Sequence, residues 1–193
     1  MIDLALLEAR AEMLARADDA GAVRYVREAG ALPGVFSGAF GSYTVADITD
    51  AGNARFDFAN DGEGLRAFLI EAFDTDGETV ADLVAWSVDR PEHVLSMFGR
   101  VGLMGLAEAM APSTYTCGFP LDVHRTPLDW LRAGCRGAAV VVPQLAARVL
   151  LEAPAIAGRD DIHTRQIADL ARGAVPRFNP NKFFSASQPR KAA

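Results

Sequence analysis

The chain has little cysteine, histidine or lysine, and each scarcity narrows what it can be. Cys117 and Cys135 are its two cysteines and lie in no metal-ligand spacing. Without an export signal, such a pair is expected to be reduced and buried. The three histidines, His93, His124 and His163, show neither a His-x-x-x-His nor a Glu-paired pattern, so no metal site is expected. Lysine occurs only at Lys182 and Lys191. The glycine-rich run Gly99–Gly105 therefore lacks the lysine of a phosphate-binding loop, and it misses the dinucleotide spacing as well. A tight turn with close packing accounts for it. No Gly-x-Ser-x-Gly elbow and no cysteine-protease signature occurs, so neither nucleophile class is indicated. No apolar run approaches the roughly 18 residues of a membrane span. The run Ala138–Val142 is cut by Pro143 and Gln144. Asp3 stands where a secretory leader needs a cation. A cytoplasmic protein with no cofactor and no membrane partner is expected.

What is present suffices for one sizeable core: 193 residues, half of them apolar, with a net charge of −6. That charge argues against nucleic-acid binding by the whole surface. An N-terminal helical pair is expected over 1–30. Its first helix groups Leu4, Leu7, Ala11 and Leu14 on one face, with Arg10 at the edge of that stripe. Asp18 or Asp19 caps the second helix, whose apolar face includes Val23 and Val26, and Gly30 stops it. The pair either packs on the domain or serves as an oligomerisation arm. Pro33-Gly34 marks a loop.

Residues 31–172 read as an α+β core. From Tyr43 the period changes to two. A turn at Asp50–Asn53, another at Asn60–Gly64, and an Asp74–Gly77 hairpin give an antiparallel β-meander to about Phe98. The run Leu65–Phe73 suits helix or strand by pattern, and the Asp-Gly turn after it decides for strand. Val101–Ala111 is apolar nearly all round and reads as a buried helix. A small α/β region follows, with strands at Pro120–His124, Ala138–Val142 and Ala155–Ala157. Helices fall at Pro143–Glu152 and Asp160–Arg172. Between the first two of these strands stands a short helix with both ends written out. Thr126 is its N-cap, Pro127 takes the first position, Asp129 sits three after the cap and Gly134 closes it. So short a helix needs packing to persist, which makes Thr126–Gly137 a structural clasp around Trp130.

The strand region is rich in carboxylates. Asp50, Asp74 and Asp76 sit at turns, where Asp bonds its own backbone. Asp47 and Asp57 are expected to face solvent, and so is Asp82, although it stands close to Trp86. One functional reading is a metal-dependent enzyme acting on nucleotides or nucleic acid, with Asp82, Asp160 or Asp161 holding the ion. The other rests on the basic tail, 173–193. No acid occurs after Asp169, and Arg177, Lys182, Arg190 and Lys191 stand among Phe178, Phe183 and Phe184. Cations with aromatic anchors suit docking on a macromolecule. These seven residues are the expected partner-binding set. The partner is expected to be a protein or a second copy, with nucleic acid reached only through the tail.

The motif Asp82-Leu-Val-Ala-Trp86, followed by Pro91, Gly102 and Leu106 and then by Thr126-Pro-Leu-Asp-Trp-Leu-Arg-Ala-Gly134, resembles a group of uncharacterised proteins of alphaproteobacteria and their prophages. The likeness covers about residues 65–170. It implies a phage or mobile-element context and assigns no catalytic residue. The leading expectation is a non-catalytic accessory protein that binds another macromolecule.

Overall fold

A computed structural model of the chain describes residues 3–31, 41–60 and 62–173, with Cys117 described at its backbone only. The Pro33-Gly34 loop and the seven tail residues lie outside the described residues. The fold is α+β, as expected from the sequence. Two helices, α1 (Leu4–Ala15) and α2 (Asp19–Glu28), come first, capped by the side chains of Asp3 and Asp18. Five strands follow: β1 (Tyr43–Gly52), β2 (Arg55–Phe58), β3 (Leu65–Phe73), β4 (Val80–Ser87) and β5 (Val94–Ser96).

The strands close into a barrel in the order β1-β2-β5-β4-β3. The antiparallel hairpins β1–β2 and β3–β4 are present. The chain reverses between β1 and β2 at Asn53 and Ala54, both with positive φ, the geometry of a type I′ turn. A simple meander would place β3 beside β2. Instead β3 pairs with β1, and β2 meets β5 in parallel, Arg55 opposite Ser96. That short parallel contact closes the sheet and removes its edges.

Closure explains the composition of β3 and β4. Alternate residues point to two different cores. Ile48, Phe56, Ala67, Leu69, Leu83, Ala85 and Leu95, drawn from all five strands, form the barrel interior, joined by Ala9 and Met13 of α1. Val45, Phe68, Ile70, Val84 and Trp86 face outward and pack against Ala22 and Val26 of α2. With both faces buried, these strands read as continuous apolar runs, which is why the pattern of Leu65–Phe73 suits helix as well as the strand it forms. Under α2 the Phe68 ring lies 4.9 Å from Trp86, whose indole N–H donates to the Tyr25 hydroxyl at 3.0 Å.

The remaining chain forms a second sheet. Its strands are β6 (Leu103–Met104), β7 (Leu121–His124), β8 (Ala138–Val140) and β9 (Ile156–Ala157), in the order β6-β8-β7-β9. β7 runs parallel to both β8 and β9, and β6 is antiparallel to β8. The helices are α3 (Leu106–Met110), α4 (Pro127–Arg132), α5 (Pro143–Glu152) and α6 (Asp161–Gly173), with a 3-10 helix at Pro112–Gly118. The expected single helix over Val101–Ala111 is thus a two-residue strand followed by a short helix. Gly105, at φ 75°, separates them and heads α3.

Gly105 also explains the glycine-rich run. A Cβ there would stand 2.1 Å from the Gly137 carbonyl oxygen, and one at Gly102 would stand 2.5 Å from the Ala146 nitrogen. The Gly102 carbonyl accepts from the N–H groups of Val141 and Val142. These glycines let two chain segments touch.

The Thr126–Gly137 clasp has the expected local chemistry. Thr126 Oγ1 accepts from the Asp129 N–H at 3.1 Å, Pro127 opens α4, and Gly134 has φ 73°. Trp130 and Leu131 join Phe68 and Trp86 of the barrel, and Met104, Ala139 and Val141 of the second sheet, in one core. The Trp130 indole N–H donates to the Gly137 carbonyl at 3.1 Å, and the Gly137 N–H donates to Glu108 at 2.8 Å.

Candidate functional site

The seven tail residues expected to bind a partner, Arg177 to Lys191, lie outside the described residues, so the site is sought on the body of the protein. The carboxylates come first. Asp82 does not face solvent: it is fully buried. Its oxygens accept from Ser96 Oγ at 2.7 Å and from the N–H groups of Leu83, Phe98 and Arg100 at 2.7–2.9 Å. It ties the chain after β5 to the middle of β4, and its lone pairs are committed there. Period two alone gives outside, because an alternating position was taken as polar-out. The barrel buries both faces, so the polar side chain sits inside a hydrogen-bonded turn.

Glu71 on β3, which the pattern did not single out, is the second buried carboxylate. It accepts from the Ser42 N–H at 2.8 Å and from Arg10 Nε of α1 at 2.6 Å. Asp160 caps α6, accepting from the His163 N–H at 2.9 Å, and pairs with Arg125 at 2.7 Å. The His163 N–H, followed by Arg125, holds the Asp160 carboxyl below the usual range. Asp161 begins α6 and is exposed. Among the described residues no three His, Cys, Asp or Glu side chains are grouped as metal ligands. Asp82 and Asp160, two of the acids suspected as ion ligands, are spent on folding contacts, in separate layers.

Cys135 lies in the core that joins the two sheets, and desolvation pushes its thiol up to about 12. A thiolate is therefore scarce at neutral pH, and Cys135 is a packing residue.

Among the described residues a grouped apolar surface that folding does not absorb lies on α1. Of the two uses expected for the helical pair, packing on the domain does not employ the stripe Leu4, Leu7, Ala11 and Leu14, which faces away from the core: Leu4 is 66% exposed, Leu7 44% and Leu14 56%. Ala11 is exposed beside them. The buried face is Leu6, Ala9 and Met13. Polar pins choose between these two apolar faces. Asp3 pairs with Arg100, and Arg10 with Glu71. Arg16 donates to the Ala59 carbonyl and lies over the Phe58 ring, 5.2 Å from its centre. Arg10 can reach the buried Glu71 only with Ala9 and Met13 turned inward. The sequence signal was available, since Leu6, Ala9 and Met13 make a second stripe opposite the first.

Positions 4, 7, 11 and 14 are spaced 3-4-3, as the a and d positions of two heptads are. The spacing is the same read from either end. The stripe is therefore complementary to itself when a second copy lies antiparallel, Leu4 on Leu14 and Leu7 on the small Ala11. No helix of the described residues is long and apolar enough to cross a membrane. No family model, curated protein or solved structure matches the chain.

Proposed function

We propose that this is a non-catalytic accessory protein of a phage or mobile element that works by macromolecular binding. In this reading two copies join antiparallel through α1, and the basic aromatic tails engage the target. The exposed heptad stripe on α1 carries the proposal. Among the described residues nothing covers the three leucines, whose helix is already packed by its other face, and burying what each still exposes stabilises an assembly by at most about 1.5–3 kcal/mol. Symmetric spacing favours a two-fold pairing over an unrelated partner, because the same patch must fit itself. The phage context rests on the sequence resemblance, and the role of the tail rests on its composition.

Sedimentation velocity tests the assembly. The full chain is expected to show a monomer–dimer equilibrium across the micromolar range. Leu7→Glu with Leu14→Glu, both on exposed positions, gives a folded monomer at every concentration, whereas removal of 173–193 leaves the dimer intact. A wild-type chain that stays monomeric throughout contradicts the proposal.

A further inference from the structure

A cleft of about 180 Å³ opens beside α6, lined by Arg125, Val140, His163, Gln166, Ile167 and Leu170. Its place in the second sheet is specific. From β7 the chain passes through α4 to β8 on one side, then through α5 back across to β9 on the other. The strand order reverses at β7, and in open parallel sheets the crevice at the carboxyl ends of the strands, at such a reversal, is where ligands bind. Arg125 directly follows β7, Val140 ends β8, and α6 follows β9.

Within this cleft one polar group is left over. His163 is only 7% exposed. Its Nδ1 accepts from the Arg159 N–H at 3.1 Å, which puts the ring proton on Nε2. Among the described residues Nε2 has no hydrogen-bond partner. Among the described residues no enclosed side-chain nitrogen or oxygen is left unsatisfied, so Nε2 is open to solvent on the cleft that its ring lines. A largely enclosed ring whose one free donor opens on a cleft with an apolar wall, next to a guanidinium, is an arrangement that suits an acceptor from outside.

We infer that the cleft binds a small monocarboxylate with a short branched hydrocarbon body. The carboxylate takes hydrogen bonds from His163 Nε2, Arg125 and the Gln166 amide, and the hydrocarbon lies on Val140, Ile167 and Leu170. Charge weighs against a dianion. Arg125 is already paired with Asp160 at 2.7 Å. Burial, followed by the field of Arg125, keeps His163 below its usual pKa and so neutral near pH 7, and the charges of Asp160 and Asp129 also act on it. Among the described residues Arg125 is the one cation lining the cleft and Asp160 offsets it, so no positive charge is left over to hold a phosphate dianion, whereas a single carboxylate needs only the three donors. The inference does not depend on α1 pairing.

Amide chemical-shift titration of the full chain at pH 7.5 tests it, with 3-methylbutanoate, its neutral amide and inorganic phosphate as probes. Saturable shifts are expected around residues 125 and 158–170 for 3-methylbutanoate alone. Arg125→Gln, an exposed position, should weaken that binding about tenfold, as one lost charge-assisted bond implies. His163→Phe, checked for folding by its melt, should weaken it similarly. The inference is overturned if 3-methylbutanoate shifts grow without saturation, if phosphate or the amide binds as well, or if Arg125→Gln binds unchanged.

Discussion

Asp82 shows how a single residue can be misplaced by pattern and still be explained by physics. In a strand of alternating side chains a carboxylate reads as solvent-facing, or as a ligand if it is not. The observed Asp82 is neither. It collects one hydroxyl and three backbone N–H groups, which would otherwise be stranded in the barrel wall. The sign of a mutational effect separates this role from a catalytic one. Asp82→Ala leaves those donors unsatisfied and should destabilise the fold by about 3–5 kcal/mol in urea titration. A carboxylate kept for chemistry is commonly a source of strain, and its removal would leave stability unchanged or raised. Glu71 was invisible for a related reason: its partner Arg10 lies 61 positions earlier. No local pattern contains such a contact.

At the level of elements, legibility followed range. The clasp α4 was readable to within a residue because its cap, its first proline and its closing glycine are all local signals. The same holds for α5, which opens at Pro143. Closure of the barrel was not readable, because it depends on one parallel contact between β2 and β5. The Val101–Ala111 segment misled for a third reason. Apolar residues on all sides suit a buried helix, yet Gly105 can stand against the Gly137 carbonyl only where the chain breaks. The role of the clasp is directly testable. Trp130 is nearly enclosed between the two sheets and bonded to Gly137. Trp130→Ala should cost about 3–5 kcal/mol through the cavity it leaves. A thermal melt unchanged by that substitution would make α4 a surface feature.

For the whole molecule, the candidate site was half legible. The sequence groups four residues of α1 on one face and leaves open whether that face packs on the domain or meets a partner. The helix carries two apolar stripes, and only the distribution of ion pairs around the barrel decides which one is buried. With Arg10 and Arg16 turned to the barrel, the leucine stripe is left exposed on the opposite side of α1. The tail's cations and phenylalanines were legible as composition alone.

Disulfide trapping tests the antiparallel α1 pair most directly. In that arrangement position 4 of one copy faces position 14 of the other, and a close antiparallel pair brings the two Cα atoms toward the roughly 4.4–6.8 Å that a disulfide accepts. Under mild oxidation the double variant Leu4→Cys with Leu14→Cys should run as a covalent dimer on a non-reducing gel, and each single variant as a monomer. A double variant that remains monomeric, while the wild-type protein is folded and concentrated, would contradict the account.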